Sequence, residues 1–124
     1  MGKQQSVTVL VVDDEPEVRR GLARTLQRLF RVVEAASFEA FVTMLEAESP
    51  DVVLTDHDLG GPADVTGLDV LRYTAWVSPR VLRVLVSGSP PAEMGELAHL
   101  VIKKPWTDEL ADVVAGLLER DSSR

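Results

Sequence analysis

Short, wholly apolar runs alternate along this chain with longer segments in which apolar residues recur every three or four positions. Four of the apolar runs stop at polar residues of definite chemistry. Val7-Thr8-Val9-Leu10-Val11-Val12 leads into Asp13-Asp14-Glu15, and Val52-Val53-Leu54-Thr55 leads into Asp56-His57-Asp58. Val84-Leu85-Val86 ends in Ser87-Gly88, and Leu100-Val101-Ile102 ends in Lys103-Lys104-Pro105. Runs of this length, bounded by turn residues, predict strands buried on both faces. Residues 31–35 predict one more strand, near a sheet edge.

The intervening segments predict helices. Pro16 suits a first helical turn, and Val18, Leu22, Leu26 and Leu29 follow at helical spacing, with Arg19, Arg20, Arg24 and Arg28 off that stripe. Ser37 is a candidate N-cap for a helix carrying Phe38, Phe41, Val42 and Leu45. A loop rich in Gly, Pro and Asp runs from His57 to Thr66. Gly67 to Val77 then predicts a third helix with Leu68 and Leu71 inward. Pro90, Pro91 and Gly95 leave only a weak helical stretch before the last strand. Thr107 is a candidate cap for a final helix bearing Leu110, Val113, Val114, Leu117 and Leu118. Five successive βα units predict an α/β fold, a doubly wound parallel sheet covered on both faces. With right-handed crossovers the natural arrangement is flavodoxin-like (βα)5, with strand order 2-1-3-4-5 and a shortened fourth helix.

Composition narrows the function classes. The 124 residues suffice for a single domain, expected over 1–124 with an ordered core at about 6–120. The absence of cysteine excludes disulfides, thiolate chemistry and cysteine zinc sites. A net charge of −7 argues against nucleic acid and anionic membrane surfaces as partners. No apolar run approaches a membrane span, and no basic leader precedes an apolar stretch, so the expected location is cytoplasmic. Met1 to Ser6 fits a loose myristoylation pattern that is common by chance, and is read as an ordinary disordered start.

In a sheet of this kind, ligands bind beyond the carboxyl ends of the strands. Asp13, Asp14 and Asp56 therefore converge on one edge with Ser87 and Lys104. Carboxylates this close repel one another unless a cation sits among them. An all-oxygen donor set suits Mg²⁺ or Mn²⁺, and Mg²⁺ keeps waters and room for a phosphate. An aspartate can also act as a nucleophile toward phosphorus. Lys104, the Ser87 hydroxyl and backbone N–H groups would then supply the charge and donors such a transition state needs.

Taken together and in order, these residues resemble a response-regulator receiver domain of two-component signalling. The resemblance covers the whole chain. It implies that Asp56 is the phospho-acceptor and that Ser87 and Lys104 contact the phosphoryl group. It implies Mg²⁺ as cofactor, held by Asp14 and Asp56 directly, by the backbone carbonyl of Asp58, and by Asp13 through water. Lys104 is preferred over Lys103 because the family's lysine directly precedes the proline. The implied partners are a histidine kinase or phosphotransfer protein, and downstream either an unknown protein or an output domain absent from this chain.

The chain departs from the family pattern in three places. Gly60 to Gly67 is longer than the family's loop after the acceptor, and lacks its early proline. The span from Ser87 to Lys104 is short by roughly one helical turn. Val101 stands where the family often has a switching Tyr or Phe. These departures motivate an alternative: a protein-binding pseudo-receiver that works without phosphorylation. Asp56-His57-Asp58 after an apolar strand also resembles the first motif of haloacid dehalogenase-like phosphatases, although 124 residues is short for one. The expected function is therefore a phosphorylatable signalling domain and not a turnover enzyme. His57 should face away from Asp56 by strand alternation. His99 and Lys103 are read as surface residues, and Trp76 and Trp106 as packing or half-exposed partner contacts.

Overall fold

The computed structural model describes residues 7–60, 65–89 and 96–122. Strands β1 (Thr8–Val12), β2 (Arg31–Ala35), β3 (Val52–Asp56), β4 (Leu82–Ser87) and β5 (Leu100–Lys103) form one parallel sheet in the order β2-β1-β3-β4-β5. Helices α1 (Pro16–Leu26) and α4 (Leu110–Ser122) cover one face, and α2 (Phe38–Glu48) and α3 (Gly67–Val77) the other. This is the flavodoxin-like, doubly wound arrangement the sequence predicts.

Burial explains why the apolar runs became strands. Every residue of β1 and β3 is buried, while edge strands β2 and β5 are largely half-exposed or exposed. Val9, Val11, Val52, Leu54, Val84 and Val86 face Leu22, Leu26, Leu110 and Val114 from α1 and α4. Leu10, Val12 and Val53 face Phe41, Leu45 and Val70 from α2 and α3. A buried strand thus feeds two cores by alternation, and the polar residues of β1 and β3, Thr8, Thr55 and Asp56, stand at the strand ends.

Local signals set the helix ends. Pro16 opens α1, and Ser37 Oγ accepts the Ala40 N–H at the start of α2. At α3 the sequence reading overlooked Thr66. Its Oγ1 accepts the Leu68 N–H (3.2 Å), and its own N–H donates to Asp69 Oδ2 (2.8 Å), a reciprocal cap. The expected inward stripe of α3 is also corrected. Leu71 is buried but Leu68 only half so, and Val70 and Thr74 complete the buried face. Thr107 does cap the last helix, through the turn that leads into Leu110.

The weak helix expected at Pro90 to Gly95 lies outside the described residues, as do Met1 to Ser6, Gly61 to Asp64 and the last two residues. Four helices are therefore described. The far flank of the β4–β5 connection is held by Arg83 and His99. Arg83 Nε donates to the Leu97 carbonyl (2.6 Å) and Nη2 to that of Glu96 (3.4 Å). The Arg83 backbone N–H donates to His99 Nδ1 at 2.9 Å.

Candidate functional site

The register of the sheet brings the expected residues together. Val12 pairs with Thr55, so Asp13 and Asp56 leave β1 and β3 side by side. Asp56 pairs with Val86, one residue before Ser87, and Ser87 pairs with Lys103, one residue before Lys104. The Lys104 N–H donates to the Ser87 carbonyl at 3.1 Å, fixing the lysine's start. Its Nζ lies 3.2 Å from Asp56 Oδ1. The same oxygen accepts the His57 N–H at 2.8 Å. Asp56 Oδ2 accepts no hydrogen bond from the described residues. Ser87 is buried, and its Oγ accepts the Ser89 N–H at 3.2 Å, so the hydroxyl proton remains available.

Asp13 is the most deeply buried acid. Its Oδ1 accepts the Glu15 N–H (2.9 Å), whereas Oδ2 is buried without a hydrogen-bond partner. Burial pushes its carboxyl up to about 6; the Glu15 N–H opposes this, the Asp56 charge adds to it, Lys104 opposes it and Asp14 adds a little. An orphaned carboxylate oxygen beside two more acids is a place for a cation or for water. Among the described residues no three acidic or histidine side chains form a ready cage. Mg²⁺ does not require one, since it binds through one or two carboxylates and retains waters. The donor set of Asp13, Asp14, Asp56 and a backbone carbonyl therefore fits that ion.

The other predicted residues fall as follows. Asp58 turns its carboxylate to solvent, 3.4 Å from His57 Nδ1, and its backbone forms an isolated bridge with Thr66. Only its carbonyl is left for a metal. Lys103 is exposed. Val101 is exposed on β5, so no ring at that position moves between buried and open states. Lys104-Pro105 is a cis peptide. Trp106 packs against the α1 side of the core beside Gly21, whereas Trp76 is 81% exposed.

Relatives share this fold. The model of the response regulator receiver domain family matches residues 9–111. The chain belongs to the response regulator receiver domain family. This receiver domain is 32% identical over 122 residues to the hydrogenase transcriptional regulatory protein HoxA of Cupriavidus necator. That match takes in 93% of this chain and 25% of HoxA. It is 35% identical to the positive alginate biosynthesis regulatory protein of Pseudomonas aeruginosa, over 75% of this chain and 34% of that one. The receiver domain thus spans about a quarter to a third of the curated relatives it matches here. A receiver domain from Clostridium thermocellum superposes with a TM-score of 0.80 at 25% identity, covering 94% of this chain and 97% of that one.

Two site-supporting residues of the receiver domain escaped the sequence reading. Arg19, grouped with the solvent-facing arginines of α1, donates through Nη1 to the Asp13 carbonyl (2.9 Å) and through Nε to Glu34 (2.9 Å). It ties the end of β1 to edge strand β2. Its spacing from Asp13 carries no signal that separates it from Arg20 or Arg24. Gly60 was read only as loop composition. A Cβ on Gly60 would fall inside the Asp14 carboxylate, and its φ is 68°. No described helix is long and apolar enough to cross a membrane.

Proposed function

We propose that this receiver domain accepts a phosphoryl group on Asp56 from the phosphohistidine of a histidine kinase or phosphotransfer protein, and thereby switches its protein contacts in the cytoplasm. The observation that carries the reading is the buried Asp56 carboxylate, ion-paired to Lys104 at 3.2 Å between Asp13 and Ser87. Asp56 Oδ1 is already engaged by His57 N–H and Lys104, which leaves Oδ2 as the attacking atom. A P–O bond forms to Oδ2 as the P–N bond breaks, and the donor imidazole keeps the electron pair and takes up a proton. Lys104 Nζ and the Ser87 hydroxyl stabilise the charge on the phosphoryl oxygens.

Asp14, Asp56 and the Asp58 carbonyl would hold Mg²⁺, with Asp13 acting through water. The ion would supply positive charge against the incoming phosphate. Exposed Asp58 leaves its negative charge in solvent, so it does little to repel an anionic donor. The chemistry is self-phosphorylation and loss of the group by hydrolysis or relay, not turnover of a soluble substrate.

Intact-protein mass spectrometry after incubation with Mg²⁺ and a small acyl phosphate tests the proposal. The expected result is one phosphoryl adduct on the wild type and none on Asp56→Ala. The absence of an adduct on folded wild type favours the phosphorylation-independent module, a reading motivated by exposed Val101 at the switch position.

A further inference from the structure

Gly60 is constrained twice over. Its φ of 68° lies in the left-handed region, where side chains are disfavoured. Independently, a Cβ built there would overlap Oδ2 of Asp14, a residue that follows a different strand. The Asp14 carboxylate therefore lies directly against the bare backbone of the β3–α3 loop.

We propose that Gly60 is a positioning residue for Asp14: by presenting no side chain, it sets where that carboxylate stands relative to Asp56. The inference deepens the reading of Asp14 as a Mg²⁺ ligand and rests on it. Gly60 itself is held in place. Its neighbour Leu59 is buried in the core on the α2–α3 side. The neck of the loop closes at the Asp58–Thr66 bridge and at the Gly67 N–H, which donates to the His57 carbonyl at 2.7 Å. A side chain added at position 60 is thus absorbed by Asp14, a terminal carboxylate on rotatable bonds, and not by the loop. Gly67 provides the contrast. A Cβ there would strike the Asp56 backbone carbonyl, which cannot rotate away. Substitution at Gly67 disturbs the fold of the loop, whereas substitution at Gly60 moves a ligand.

The test is calorimetric titration of Mg²⁺ into wild type, Gly60→Ala and Gly60→Asn, with circular dichroism to confirm folding. Asn adopts the left-handed conformation more readily than Ala but carries the same Cβ. Both variants are expected to bind Mg²⁺ about tenfold or more weakly, the scale seen when a ligand's supporting contact is lost. Asn should recover thermal stability relative to Ala without recovering affinity. Wild-type affinity in either variant overturns the proposal, because the added Cβ then does not displace the ligand. If wild type binds no Mg²⁺, the metal reading itself fails, and metal-free protein decides the positioning. The ¹³C carboxyl resonance of Asp14 should then shift in both variants while that of Asp51, at the opposite end of β3, stays put. An unmoved Asp14 resonance overturns the inference.

Discussion

Asp13 and Asp56 leave β1 and β3, strands in which every residue is buried, whereas Lys104 leaves β5, an edge strand that alternates half-buried and exposed residues. The acidic half of the site is therefore fixed by two cores at once. The cationic half hangs on a strand with one neighbour, and among the described residues its entry is tied to β4 by Arg83 and His99. Side chains locked by packing keep a nucleophile in place, while a loosely held edge can shift at low cost. The difference marks β5 as the less firmly packed flank of the site.

The sharpest way to break this contrast is to damage each half equally and compare. Leu54→Ala in β3 should cost about 2–5 kcal/mol in urea unfolding, because the cavity opens among fully buried neighbours. A loss comparable to that of a surface site would show that β3 is not the rigid half. Next, Lys104→Ala should slow adduct formation from an acyl phosphate by about 100-fold, since it removes a positive charge from the phosphoryl oxygens. Rates read from the mass-spectrometric time course decide it.

A third prediction concerns pH. The Asp13 carboxyl is raised from 3.8 to about 6, so between those values the folded chain keeps a proton that the unfolded chain has released. Stability should fall as pH rises through that window and level off above it. Asp13→Asn should flatten the profile and gain on the order of 1–3 kcal/mol at pH 7. Urea melts at pH 4 and pH 7.5 measure it, and added Mg²⁺ should stabilise the wild type more than the variant. The smallest effect belongs to the edge: Val101→Ala should change stability by less than about 0.5 kcal/mol. A larger change would mean that β5 is packed more firmly than its exposure indicates.

Legibility followed the same division. Central strands were plain in the sequence because burial on both faces favours apolar residues, so Asp13, Asp56 and Ser87 stand out where the apolar runs stop. Ser87 was read as lying just past its strand but is the last residue of β4, since an apolar run cannot show that pairing continues through a hydroxyl. Leu68 misled because helical spacing alone does not fix the rotation of a helix; the reciprocal Thr66–Asp69 cap helps to set the start of α3, and Val70, Leu71 and Thr74 face inward. Arg19, Gly60 and Arg83 were illegible for one reason. Each acts on a residue distant along the chain or through backbone carbonyls, and pattern along one segment holds no record of such partners.

Arg83 also bears on how the chain enters β5. A backbone carbonyl outside a helix or strand ladder needs a donor from elsewhere. Here a single guanidinium, rooted in the strand and not in the connection, takes up those of Glu96 and Leu97. Arg83, a residue of β4, thereby ties the chain that enters β5 to the neighbouring strand through backbone carbonyls, a tie that asks nothing of the side chains at positions 96 and 97.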